Sequence, residues 1–122
     1  KVGLPAIAPG VMERWFTEGF RARETHLLRG YINMVARTSL DGYLGCAMAV
    51  RDADLTASDT SIRQPTLGIV GAEDPATPVA SAEALAGLIP GAQLAIIPDC
   101  SHLCCVEQPE ETARLLLAHL GA

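Results

Sequence analysis

The sequence predicts an α/β fold in which a helical segment leads into two consecutive βα units of a parallel sheet. Three observations carry this. Large apolar residues recur at helical spacing through the first 50 residues, with no strand pattern among them. Two short, nearly continuous apolar runs follow, at 66–70 and 94–97, with Pro or Gly at their flanks. Each run leads into a polar loop and then a helical pattern, the alternation expected of parallel strands buried on both faces. The chain divides accordingly into a helical region (1–50), a connection (51–63) and a βαβα part (64–122).

In the helical region, Val11, Met12, Trp15, Phe16 and Phe20 fall on one face of a helix that follows Pro9-Gly10. Leu27, Leu28, Tyr31, Ile32, Met34 and Val35 repeat the pattern. A third helix carries Leu40, Tyr43, Leu44, Ala47 and Val50, with Ser39 or Thr38 as its cap. Residues 52–61 hold three Asp, two Ser and two Thr and read as a connection with room for a helical turn. Gln64-Pro65 opens the first strand, which ends at Gly71, and 72–78 form a polar loop. Thr77 then Pro78 reads as a helix start, a capping hydroxyl followed by proline at the first helical position. That helix runs to about Leu88. Pro90-Gly91 turns the chain into the second strand. Residues 98–106 form a loop, Pro109 opens the last helix and Gly121 ends it. The right-handed crossover rule sets the two strands side by side. Two strands cannot cover both their faces, so this part has the character of the edge of a larger sheet.

Composition bounds the function. The 122 residues suffice for one modest domain, and 49% hydrophobic content is too apolar for a disordered chain. A net charge of -5 and scattered Lys and Arg argue against nucleic acid. No apolar run reaches membrane-spanning length, and none follows the N-terminus as a signal peptide requires. The chain opens on Lys1 without an initiator Met, so it is expected to begin inside a longer or processed protein. Cys100, Cys104 and Cys105 crowd together while Cys46 lies far away, which is not a disulfide framework. Reduced thiols and a cytoplasmic location are expected. Cys100-x-His102-x-Cys104 lacks the separated pairs of a structural zinc site, so no metal is expected.

In a doubly wound sheet, functional groups sit just past the C-terminal strand ends. Asp74 lies four residues after Val70, and His102 five after Ile97. Adjacent strands lie about 5 Å apart, so these loops can bring the two side chains together. A carboxylate that accepts from an imidazole N–H fixes the tautomer and stabilises the imidazolium, as in a Ser-His-Asp system. Taken singly, an Asp in a Gly/Pro loop is an ordinary turn residue, and a loop His is ordinarily exposed. Their equivalent positions in consecutive βα units favour the paired reading.

The motifs Gly71-x-x-Asp74-Pro-x-Thr-Pro78, Ile97-Pro-Asp-Cys-Ser-His102 and Val106-Glu-Gln-Pro109-Glu resemble the C-terminal end of α/β-hydrolases, above all the 3-oxoadipate enol-lactonases of aromatic degradation. Glu13-Arg14-Trp15-Phe16-Thr17, Asp41-Gly42-Tyr43 and Arg51-Asp-Ala-Asp54-Leu are similar to that family's helical cap. The resemblance implies that Asp74 is the triad acid and His102 the general base. It implies that 1–50 cap the active site, with no cofactor and a small lactone or ester as substrate. Trp15 would then be a pocket wall and Arg14 a partner for a substrate carboxylate. Equally, Trp15 fits a core aromatic and Arg14 a surface cation.

The sequence departs from the family in two places. The elbow Gly-x-Ser-x-Gly that carries the nucleophile is absent: Ser39, Ser58, Ser61, Ser81 and Ser101 all lack the flanking glycines. Chain order in this fold is Ser, acid, His, so the nucleophile is expected upstream of Lys1 and the chain alone is expected to be inactive. A missing N-terminal half, or self-association, would cover the open sheet. Second, Cys104-Cys105 follow the His closely; inert thiols are the default. Another esterase, a cofactor-free haloperoxidase-like hydrolase and a non-catalytic interaction module are the alternatives.

Overall fold

The computed structural model describes residues 3–121. Four helices come first: α1 (Leu4–Trp15), α2 (Glu18–Arg23), α3 (Thr25–Ala36) and α4 (Leu40–Asp52). A single turn, α5 (Thr56–Asp59), lies in the connection. There follow β1 (Leu67–Gly71), α6 (Val79–Leu88), β2 (Gln93–Ile97), the short α7 (Cys104–Glu107) and α8 (Pro109–Leu120).

The first helix begins earlier than its sequence suggests and runs straight through Pro9-Gly10. An interior proline forfeits a hydrogen bond and costs about 3 kcal/mol. The offset is burial: Leu4, Ala8, Val11 and Met12, spaced four, seven and eight apart, are all buried on one face. The helix then stops at Trp15 rather than carrying Phe20 with it. Phe16 is extended, and Thr17 caps α2 by accepting the N–H of Phe20 at 3.2 Å. The break lets Phe16 and Phe20 stack with ring centroids 4.9 Å apart, and Tyr31 of α3 closes on Phe16 at 5.1 Å. Phe16 and Phe20, with Ala8, Val11, Met12 and Val35, form the helical core, and Tyr31 packs against it. Leu103 and Val106, from the far end of the chain, pack against it.

Ser39 caps α4 through the N–H of Gly42. No residue of α4 is buried, and Leu40, Leu44, Met48 and Val50 are exposed.

The strands pair in parallel, Leu67 opposite Gln93 through Gly71 opposite Ile97. Pairing extends into both loops: Ala72 N–H donates to Ile97 C=O and Glu73 N–H to Cys100 C=O, each at 2.9 Å. Burial is incomplete. Leu67, Gly68, Ile69, Leu94 and Ala95 are only half-buried and Ile96 is exposed. At their C-terminal ends Val70, Gly71 and Ile97 are buried, so the strands are best covered where the loops leave them.

Two local expectations change. Pro78, not Thr77, is the residue capping α6, whose first helical residue is Val79. Thr77 gives its hydroxyl to the Asp74 carboxylate instead, because a charge-assisted bond is about twice as strong as a neutral one. The loop after β2 also coils into α7 from Cys104, where the apolar Val106 can reach the helical core. Gly121 ends α8 in the left-handed conformation, φ 74°.

Candidate active site

Both βα loops leave the C-terminal edge of the sheet and meet there. β1 ends on Gly71, against which the Cys100–Ser101 backbone lies directly. A Cβ at Gly71 would fall 2.7 Å from the Cys100 carbonyl carbon, and nearer still to the carbonyl oxygens of Cys100 and Ser101. Only glycine permits this approach. On the other strand, Asp99 takes a positive φ of 50° where the chain bends back toward Gly71. Asp tolerates that region better than most residues.

The two loops bring Asp74 Oδ2 to 2.8 Å from His102 Nδ1. The carboxylate is fully engaged. Its Oδ1 accepts from the N–H groups of Ala76 at 2.8 Å and Thr77 at 3.0 Å. Its Oδ2 accepts from the Thr77 hydroxyl at 2.7 Å and from the imidazole. Burial pushes the Asp74 carboxyl up, but hydrogen bonds from His102, from the Thr77 hydroxyl and from the Thr77 and Ala76 amides outweigh it. The net pKa lies below the ordinary value. Asp74 is therefore an anion at neutral pH and an acceptor only, which requires the proton on Nδ1. Among the described residues every hydrogen bond of the ring is made at Nδ1, which leaves Nε2 without a partner. The His102 side chain is 32% exposed, against 3% for Asp74: the carboxylate is buried and the imidazole is partly accessible.

Asp74, Thr77 and His102 are among the residues that line an open cavity of about 380 Å³. Its remaining walls are mostly apolar, among them Val70, Leu85 and Leu94. Trp15 and Arg14 do not line it. Trp15 is half-buried against the helical core, and Arg14 is exposed. Both instead reach the His102 loop through their backbones: Arg14 C=O accepts from the Ser101 hydroxyl, and Trp15 C=O from the Leu103 N–H, each at 3.2 Å.

Three contributors were not singled out from the sequence. Thr77 could have been found from its place three residues after Asp74, since a short polar side chain there can fold back on a carboxylate. Glu107, whose Oε2 accepts the N–H of Ser101 beside His102 at 2.6 Å, stands in the Val106–Glu110 motif, which carries only a resemblance. Gly71 reads as a strand end, and nothing in a sequence shows which backbone passes over it.

Cys100 and Cys104 make no alternative nucleophile. The Cys100 and Cys104 thiols both point at the Ser101 carbonyl at 3.5 Å. Burial pushes both pKa values up, which keeps them protonated. Cys105 and Cys46 are exposed. Among the described residues no group of three or more His, Cys, Asp or Glu is arranged to hold a metal ion, and no helix is long and apolar enough to cross a membrane.

No protein-family model matches the chain. Individual proteins do. 3-Oxoadipate enol-lactonase 2 of Acinetobacter baylyi is 35% identical over 108 residues, 88% of this chain and 40% of the relative. 3-Oxoadipate enol-lactonase 1 of the same organism is 34% identical over 109 residues, 89% of this chain and 41% of the relative. The crystal structure of the enol-lactonase from Burkholderia xenovorans superposes with a TM-score of 0.93 at 29% identity, covering 98% of this chain and 45% of that one. In sequence and in fold the chain is similar to α/β-hydrolases. A hydrolase from Pseudomonas aeruginosa gives a TM-score of 0.92 at 34% identity, over 100% of this chain and 46% of that one. The chain thus spans less than half the length of the relatives it matches. It has the fold of the C-terminal part of an α/β-hydrolase, a helical cap followed by the last two βα units. That accounts for the incompletely buried strands: in a hydrolase they are part of a wider sheet.

The depressed pKa of Asp74 gives a signed expectation. A carboxyl whose folded pKa lies below its unfolded value of about 3.9 stabilises the fold above that value. The contribution is lost as pH falls through the folded pKa. The stability gap between wild type and Asp74→Asn, from denaturant melts, should be constant near neutrality and narrow below about pH 4. A gap that persists unchanged to about pH 2 would contradict the depressed pKa.

Proposed function

We propose that the complete protein is a hydrolase resembling 3-oxoadipate enol-lactonase, opening an enol-lactone with water through a Ser-His-Asp triad. Asp74 is its acid and His102 its base, and the nucleophile lies outside these 122 residues. The observation that carries this is the 2.8 Å bond from His102 Nδ1 to a buried, fully engaged carboxylate. It leaves Nε2 free to take a proton, which is the state a general base needs.

In this reaction the serine Oγ attacks the lactone carbonyl carbon as Nε2 takes the hydroxyl proton. The tetrahedral adduct collapses by breaking the ring C–O bond, and Nε2–H protonates the departing enol oxygen. An acyl-serine remains. Water then attacks the acyl carbon and gives its proton to Nε2. The serine oxygen leaves and recovers that proton, and the acid is released. Through both steps Asp74 stabilises the imidazolium. No cofactor takes part. The helical segment caps the site. Arg14 and Trp15, in the last turn of α1 beside the His102 loop, are its candidates for the substrate carboxylate and the pocket wall. The remainder of the hydrolase sheet covers the open edge of β1, and the 122 residues alone, without a nucleophile elbow, are inactive.

A broader carboxylic-ester specificity is the second reading. It is favoured by the pimeloyl-[acyl-carrier protein] methyl ester esterase of Aromatoleum aromaticum, 42% identical over 65 residues, 53% of this chain. The two readings separate by kcat/KM of the complete protein on 3-oxoadipate enol-lactone and on an aryl acetate. A preference for the lactone by about two orders of magnitude or more, near 3 kcal/mol, supports the first. Equal or reversed preference overturns it.

A further inference from the structure

We infer that Glu107 is a positioning residue for His102, fastening the loop of the base to the segment that joins α1 to α2. Its carboxylate bridges the two. Oε1 accepts from the backbone N–H of Thr17 at 2.9 Å and from the Thr17 hydroxyl at 2.7 Å. Oε2 accepts from the backbone N–H of Ser101, the residue before His102, at 2.6 Å. Two further bonds bracket the base: the Ser101 hydroxyl donates to Arg14 C=O, and the Leu103 N–H donates to Trp15 C=O. The neighbours of His102 on both sides are therefore tied to residues 14–17.

The far end of the bridge is itself fixed. The Thr17 hydroxyl, while donating to Glu107, accepts the N–H of Phe20. Phe20 is buried in the helical core, stacked on Phe16. On the near side, Leu103 and Val106 pack on that same core. Glu107 thus closes a path from the core of the helical segment to the backbone that carries the imidazole. Among the described residues no cation pairs with it, and three N–H and O–H donors take its charge. Short charge-assisted bonds of this kind carry geometric precision as well as energy.

An amide cannot replace the carboxylate. Gln keeps one acceptor oxygen and must turn its NH2 toward either the Ser101 N–H or the two Thr17 donors, so at least one donor loses its partner. The displaced backbone is next to the base, where a shift of about 1 Å can cost about a hundredfold in rate.

The kinetic arm of the test rests on the triad reading above; the spectroscopic arm does not. In the complete protein, Glu107→Gln should lower kcat on the enol-lactone by about tenfold to a hundredfold, with KM within about twofold. The deshielded Nδ1 proton of His102, followed by NMR, should shift or broaden by exchange. Thr17→Val, which removes one of the three donors, should do the same to a smaller degree. It should add little on a Glu107→Gln background, because both act through one bridge. A Glu107→Gln protein that loses thermal stability yet keeps its kcat and its Nδ1 resonance overturns the proposal. If that variant does not fold, Thr17→Val decides on the same two readouts. An inactive wild type overturns the triad reading, and the resonance still decides the role of Glu107.

Discussion

Asp74→Asn is expected to lower kcat of the complete enzyme by about 10⁴-fold while leaving the fold intact. The cause lies in the hydrogen-bond pattern rather than in lost charge alone. Two backbone N–H groups, of Ala76 and Thr77, converge on Oδ1. In the Asn variant they hold the amide oxygen at that position. The NH2 must then occupy the place of Oδ2 and face His102 Nδ1, now 2.8 Å from the carboxylate. An N–H donor there forces Nδ1 to accept, which moves the ring proton to Nε2. The ring then offers the nucleophile a proton instead of a lone pair. Steady-state kinetics at neutral pH checks this, with circular dichroism as the folding control. A loss of less than about tenfold would contradict the tautomer argument.

Gly71→Ala is expected to be the most damaging substitution of a single methyl group, at more than about 3 kcal/mol. The added Cβ would overlap the Cys100–Ser101 backbone, not the flexible end of a side chain. That backbone cannot retreat freely. Ser101 is held by Glu107 and Arg14, and Glu73 N–H is bonded to Cys100 C=O. The strand end and the His102 loop must therefore separate, and activity falls with stability. Gly87→Ala in α6, where nothing lies within 4 Å, is the control and should be neutral or stabilising by about 0.5–1 kcal/mol. Denaturant melts of the two variants decide it. A Gly71→Ala midpoint equal to that of wild type would contradict the packing described.

The sequence made some of this legible for identifiable reasons. The strands and the helices that follow them announce themselves through apolar runs ending in Gly and Pro. Asp74 and His102 then stand out because each falls just past a strand end. Local signals misled where a tertiary partner outbid them. Pro9-Gly10 marks a helix start in isolation, but α1 runs through it because Leu4 and Ala8 are buried on the far side. Thr77 looks like a cap, yet its hydroxyl is taken by Asp74. Other features leave no trace in residue type. Arg14 and Trp15 hold the His102 loop through carbonyl groups that every residue possesses. The bridge made by Glu107 joins Thr17 to Ser101, positions 84 residues apart in a chain of 122.

The proposed mechanism requires His102 to act as the base for a serine outside these residues. An active-site-directed fluorophosphonate, applied to the complete protein and mapped by mass spectrometry, tests this most directly. The predicted result is one labelled serine on a peptide outside the 122 residues described, with labelling strongly slowed in both His102→Gln and Asp74→Asn. A label on Ser101, Cys104 or any other residue of this chain would contradict it, as would undiminished labelling in the His102→Gln protein.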